Sequence, residues 1–366
     1  MTLQQARHAL SMDISGGTRP SVFDRLAMIR FPLIVLVVCY HNESGGEFTQ
    51  QLQGAPALAF AVDFLANSLG GIRVPVFFLI AGYVFFRNFH ADASWFGEKL
   101  QSRARSLLLP LIAWTALWML VLSIAQKLPV TAALLSGKSI WSTTLVELSA
   151  HRLILGFIGQ GHQLFLYHLW FLRDLFVLVL LTPVIYLLIK GTRGWATLFV
   201  LVGWVSGMAI SWASSDALFF FFLGCHLAIA GKSIFWADKA GLYAVLGWIM
   251  LRMMGSSLPP VGEKLWVVCG VVAILCLSAG LARVPWALDV LRRASRYSFF
   301  IFAAHEPVLT MVRRLYFAAL PLHAPFDVFM AYFVIVLLTI SLLVFTFKGM
   351  ERVAPRVLQV MNGGRP

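Results

Sequence analysis

Apolar runs recur along this sequence at close to membrane-spanning length, and that repetition limits the fold more than any single motif does. They lie at about residues 22–41, 72–86, 106–125, 166–189, 195–212, 217–230, 240–254, 264–282, 297–317 and 326–347, each bounded by charge, Gly or Pro. A transmembrane helix needs about 20 apolar residues. Only 12% of the chain is charged and 60% is hydrophobic, too little polar surface to cover a water-facing globule. The expectation is an all-α, polytopic membrane protein of about ten transmembrane helices in one bundle. Residues 1–350 would form a single transmembrane domain and 351–366 a short cytoplasmic C-terminal tail.

The net charge of +13 would suggest nucleic acid in a soluble protein, but the basic residues here are scattered through short loops. With the N-terminus inside, inner segments hold more than twice as many Lys and Arg as outer ones, which favours both termini in the cytoplasm. The first 20 residues carry Arg7, Asp13 and Arg19 with no apolar core before a small-residue cleavage site, so no signal peptide is expected. Cys39, Cys225, Cys269 and Cys276 all fall inside apolar runs without a CxxC pair and read as packing residues. His162 and His168 lack a carboxylate at ligand spacing and HExxH is absent, so no metal site is expected. Neither a GxSxG elbow nor a P-loop is present. Residues 126–165, with apolar patches around Leu145 and Leu153, would lie along the interface or cap a cavity.

Polar residues inside the apolar runs are the candidates for chemistry. The first run carries Arg30 in its interior and His41 near its outer end. An arginine there faces a protein interior or a wet cavity, or else snorkels to the inner interface. Eleven residues at 1.5 Å and 100° each place the two on one helix face, about 16 to 17 Å apart. Pro32 frees a backbone carbonyl one turn earlier and is expected to bend the helix. His41 suits a general base, because imidazole titrates near neutral pH; the other reading makes it the polar end of a span. Glu43 either orients that ring or is a loop residue. Lys99, Arg103 and Arg105, at the inner mouth of the third run, are ordinary positive-inside charge or a phosphate-binding cluster. Arg173 and Asp174, in the fourth run, are a structural ion pair or line a cavity. His305 and Glu306, in the ninth, are interhelical glue or part of a site. His226 reads as a helix-packing group.

Taken together, these clusters resemble the acyltransferase 3 family, integral membrane enzymes that O-acetylate or O-succinylate bacterial surface glycans and related acceptors. The most specific element is an arginine followed eleven residues later by a histidine, here Arg30 and His41. The stretch RVPVFFLIAGYVFF is similar to the family's FFLISGF element, HLWFLRDL to its WFL segment, and SFFIFAAHEP to the late helix that carries a histidine near a proline. The RFPLIV and RVPVFF wording is most similar to the branch acting on exopolysaccharides. Two departures stand out: Ala81 replaces the usual serine, and Arg103 and Arg105 are spaced RxR where RxxR is common. The sequence stops soon after its last apolar run, so the extra hydrolase-like domain of some members is not expected.

The resemblance implies a non-aminoacyl acyltransferase with acetyl-CoA or another acyl-CoA as donor substrate and no tightly bound cofactor. The acceptor would be a hydroxyl of a surface polysaccharide or its lipid-linked precursor. His41 would be the general base with Glu43 beside it. Arg30, Lys99, Arg103 and Arg105 would hold the donor, while His168, Arg173, Asp174, His305 and Glu306 would line the substrate cavity. Direct transfer and a relay through acylated His41 both stay open. Expected partners are acyl-CoA, the glycan, membrane lipid and glycan-biosynthesis proteins, not nucleic acid, and the expected location is the bacterial inner membrane. The competing reading is a transporter or lipid-linked glycan flippase, which also needs about ten helices and buried charge.

Overall fold

The computed structural model describes residues 21–89, 93–128, 150–159, 164–208, 212–254 and 258–365. The polar N-terminal segment with Arg7, Asp13 and Arg19, the patch at Leu145, and His162 lie outside the described residues. Among those described, every regular element is helical, and the protein is an all-α polytopic membrane protein.

The first helix, α1 (Val22–Glu43), begins at a capping box. The Ser21 hydroxyl accepts from the Asp24 amide at 3.1 Å while the Asp24 carboxylate accepts from the Ser21 amide, satisfying two donors that a helix start leaves open. The helix runs on through Pro32 as one element. Next come α2 (Glu47–Gln51), α3 (Pro56–Asp63) and a π turn at Phe64–Leu69 that leads into α4 (Arg73–Phe86). A second π turn, Ala104–Leu108, joins α5 (Ala93–Arg103) to α6 (Leu109–Ala125). Then follow α7 (Ala150–Ile158), α8 (Trp170–Leu180), α9 (Thr182–Gly191), α10 (Trp195–Val205), α11 (Ser215–Ile229), α12 (Gly241–Met253) and α13 (Pro260–Leu281). The chain closes with α14 (Pro285–Ala294), α15 (Ser298–Ala319), α16 (Pro325–Val353) and α17 (Pro355–Met361).

Among the described residues, four helical segments are long and apolar enough to cross a membrane: Pro56–Phe86, Ser94–Ala125, Pro260–Leu281 and Pro325–Val353. A fifth span arises if α8 and α9, bent by 53° ahead of Pro183, act as one. The remaining apolar runs form helices that are shorter or more polar. Thus α1 and α15 have 22 residues each, about 33 Å at 1.5 Å per residue, but α1 carries Asp24, Arg25 and Arg30, and α15 carries Glu306, Arg313 and Arg314. Large apolar side chains such as Leu187, Phe199, Leu337 and Phe345 point outward, as a lipid-facing surface requires.

Two cores meet on α1. Its first half, Leu26, Ile29 and Leu33, packs with α4, α8, α11 and α13; its second half, Ile34, Val37 and Val38, packs with α6, α15 and α16. The most extensive helix pair is α4 with α11. A Cβ at Gly82 would strike the Phe221 carbonyl, and one at Gly224 the Leu79 carbonyl, so only glycine permits this approach. After residue 350, α16 continues to Val353 and α17 folds back along α6, where the Trp114 indole donates to the Met361 carbonyl at 2.9 Å.

Candidate active site

The site gathers around the end of α1 that carries His41. Tyr332 on α16 donates to the Cys39 carbonyl at 2.9 Å and accepts at its own carbonyl from Asn42, 3.1 Å away. Arg313 on α15 donates to the Asn42 carbonyl and pairs with Glu47 at 3.3 Å. These bonds hold the last turn of α1 against α15 and α16 and aim His41 at what those helices carry.

Three histidines converge there. The His305 ring lies 5.0 Å, centroid to centroid, from both His41 and His168, and His41 lies 6.4 Å from His168. Hydrogen bonds fix which nitrogen of each ring bears its proton. Pro307 has no N–H to offer the Ala303 carbonyl four residues back, and His168 Nε2 donates to that carbonyl at 3.1 Å. His305 Nδ1 donates to the Phe302 carbonyl at 2.7 Å. The Tyr167 hydroxyl donates to Glu306 at 3.1 Å, so it accepts from His41 Nδ1, also at 3.1 Å. His41 is left with a lone pair on Nε2, His168 with one on Nδ1 and His305 with one on Nε2. The last two atoms, together with Glu306 Oε2, are buried without a protein donor.

Beside this cluster, Arg73 on α4 is buried, stacks at 4.0 Å over the Tyr40 ring and donates to the Gly70 carbonyl. Tyr40 in turn meets His41 edge to face at 5.2 Å. Among the described residues no group of His, Cys, Asp and Glu is arranged to hold a metal.

Arg30 is at the other end of α1. It is exposed although its neighbours Met28, Ile29, Leu33 and Ile34 are buried, and within electrostatic reach of it stand Arg103, at the start of the π turn, and Arg365, beyond α17. No carboxylate pairs with any of these three among the described residues. One helix therefore has a group of basic residues at one end and an imidazole cluster at the other.

A family model described as an acyltransferase domain matches residues 23–347. The chain belongs to the acyltransferase 3 family. It is an acyltransferase that moves groups other than aminoacyl groups. Over 361 residues it is 25% identical to the succinoglycan biosynthesis protein ExoH of Rhizobium meliloti (strain 1021), an alignment covering 94% of this chain and 93% of that protein. No solved structure matches it.

In this acyltransferase several expected site residues do other work. Glu43 does not orient His41. Its two carboxylate oxygens accept from the Phe48 and Thr49 amides and the Thr49 hydroxyl at 2.5 to 3.1 Å, capping α2, because residues two apart on a helix point to nearly opposite sides. Glu306 reaches His41 instead, through the Tyr167 hydroxyl. Arg173 and Asp174 form the ion pair that was one of their two readings: they pair with each other, Arg173 donates to the Trp212 carbonyl at 2.9 Å, and Asp174 accepts from the Ser214 amide at 3.2 Å. They clamp the approach to α11. Arg103 and Arg105 diverge for the same reason as His41 and Glu43, with Arg103 half-buried beside Arg30 and Arg105 exposed. The Lys99 ammonium lies 5.4 Å from the Trp95 ring. His226 accepts or donates to the Thr197 hydroxyl at 2.7 Å, the packing role expected of it. Tyr167 and Arg365 were not singled out in the sequence.

Proposed function

We propose that the protein transfers an acyl group, acetyl in the simplest case, from cytoplasmic acyl-CoA to a hydroxyl of a bacterial surface polysaccharide or its lipid-linked precursor. It would sit in the inner membrane with the Arg30 end of α1 toward the cytoplasm. The observation that carries this reading is the chain from His41 Nδ1 through the Tyr167 hydroxyl to Glu306, which leaves His41 Nε2 as a basic nitrogen. A carboxylate holding an imidazole in one tautomer and stabilising the imidazolium is the logic of a general base.

The acceptor O–H gives its proton to His41 Nε2 as its oxygen bonds to the thioester carbonyl carbon. The tetrahedral intermediate then expels the thiolate, which takes that proton back and leaves as the thiol, with an ester formed. Glu306 stabilises the charged imidazole through Tyr167. The lone pairs of His168 and His305 and Glu306 Oε2 are acceptors that lack donors; a polyhydroxylated acceptor supplies donors of that kind. Arg30 and Arg103 would hold the donor phosphates, with Lys99 at the rim. The succinoglycan name of the relative supports a polysaccharide acceptor.

The test compares O-acyl content, by proton NMR of isolated surface polysaccharide, between cells carrying the intact protein and His41→Ala at matched membrane levels. Loss of the ester signal is expected. Unchanged esters would remove His41 from the chemistry and with it this mechanism.

A further inference from the structure

At the Arg30 end of the bundle, four arginines are paired with carboxylates. Arg25 pairs with Asp238, Arg292 with Asp24, Arg293 with Asp289 and Arg296 with Glu351. Arg30, Arg103 and Arg365 have no carboxylate partner among the described residues, and each stands within electrostatic reach of the other two. Three guanidinium groups gathered without a counter-charge repel one another, and such a cluster is retained where an anion neutralises it.

The third of these cations arrives by a route no local pattern predicts. Past α17, Gly363 adopts positive φ and lies against the Ser106 carbonyl in the π turn, so that a Cβ there would collide with it. That close approach brings the following residues alongside the turn that begins after Arg103. The Arg365 guanidinium then stacks 3.9 Å from the centre of the Phe299 ring, and its Nη1 donates to the Asn362 carbonyl at 3.0 Å, leaving other N–H groups for a ligand. Burial, and then the like charges of Arg103 and Arg30, pull this guanidinium down to about 10.

We infer that Arg365 joins Arg30 and Arg103 in a single anion site that takes a diphosphate-bearing ligand. The π turn supplies one cation, α1 the second and the segment after α17 the third, so the fold-back of α17 is part of the binding site. Naming the ligand as the acyl donor's phosphates rests on the function proposed above; the anion site itself does not.

The experiment uses the full chain in detergent and titrates inorganic pyrophosphate by calorimetry, with no acyl group involved. The variant is Arg365→Met, which keeps an apolar stem against Phe299 and removes the charge. The comparison is Arg293→Met, which loses a paired, exposed arginine at the same end. Arg365→Met is expected to weaken pyrophosphate about tenfold, as loss of a charge-assisted contact does, Arg365→Lys to recover part of the loss, and Arg293→Met to bind as the parent does. Should Arg365→Met not fold, phenylglyoxal labelling of the parent protein followed by mass spectrometry reads the same site, since bound pyrophosphate should protect Arg365. Unaltered affinity in Arg365→Met, or no protection of Arg365, overturns the inference. Pyrophosphate binding that needs Arg365, in a protein that neither binds nor turns over acetyl-CoA, would uphold the anion site and sink the donor assignment.

Discussion

Pro307 lends His168 its hydrogen-bond acceptor. Because the proline has no N–H, the Ala303 carbonyl lacks the donor that residue 307 would give it within α15, and His168 Nε2 donates to it at 3.1 Å. A residue on one helix thus sets the tautomer of an imidazole from another segment. Pro307→Ala supplies a competing N–H. The expected outcome is unchanged or higher thermal stability, proline being unfavourable inside a helix by about 3 kcal/mol, with kcat for acyl transfer lower by about tenfold to a hundredfold through misplacement of the ring. A melting curve and a rate measured on the same preparation check this, and a fully active variant would take His168 out of the mechanism.

Tyr167→Phe keeps the ring and removes the hydroxyl that joins His41 to Glu306. Losing a group that orients a general base should cost about 10²-fold in kcat, with donor binding unaffected because Arg30 and Arg103 lie at the opposite end of α1. Steady-state kinetics on purified protein separate the two effects. A rise in KM for acyl-CoA at constant kcat would place Tyr167 in donor binding instead.

Glu43→Gln tests the reassignment of the carboxylate nearest His41 in sequence. The change weakens the bonds to the Phe48 and Thr49 amides, so it should lower stability by about 1–3 kcal/mol while the surviving folded protein keeps its kcat. A large loss of kcat in well-folded Glu43→Gln would return this residue to the catalytic group.

What could be read from sequence divides along a physical line. Hydrocarbon excludes polar groups, so Arg30, His41, His305 and Glu306 stood out in their apolar runs, and the structure brings the last three together. The ends of α1 and α15 fall within two residues of their runs for the same reason, whereas α16 continues past its run to Val353. The helical stretch before residue 72 went unseen because Asp63, Asn67, Gly70 and Gly71 interrupt its hydropathy. Tyr167 carries no such signal, since a tyrosine near the end of a span is ordinary. Arg365 resembles any basic residue after a last span, and only the return of α17 along α6 places it near Arg103. Glu43 misled through proximity: two residues along a helix is near in sequence and opposite in direction.

The pair formed by Arg173 and Asp174 offers the sharpest separation of structure from chemistry. Asp174 is only 3% exposed, and its two oxygens are divided between Arg173 and the Ser214 amide. Removing one partner of a buried pair leaves the other uncompensated, which costs about 3–5 kcal/mol, whereas replacing both with apolar groups of similar size is often close to neutral. Arg173→Met alone should therefore be markedly less stable than Arg173→Met with Asp174→Leu, and the double variant should retain acyl transfer because the contacts of both residues are with each other and the backbone of Trp212 and Ser214. The double variant still loses the acceptor for Ser214, so its stability should lie between that of the single variant and the parent. Thermal melting ranks the three proteins and a transfer assay completes the test. A stable, correctly assembled double variant without activity would mean that the clamp also meets the acceptor, and would restore to Arg173 and Asp174 the cavity role that their position in the fourth run first suggested.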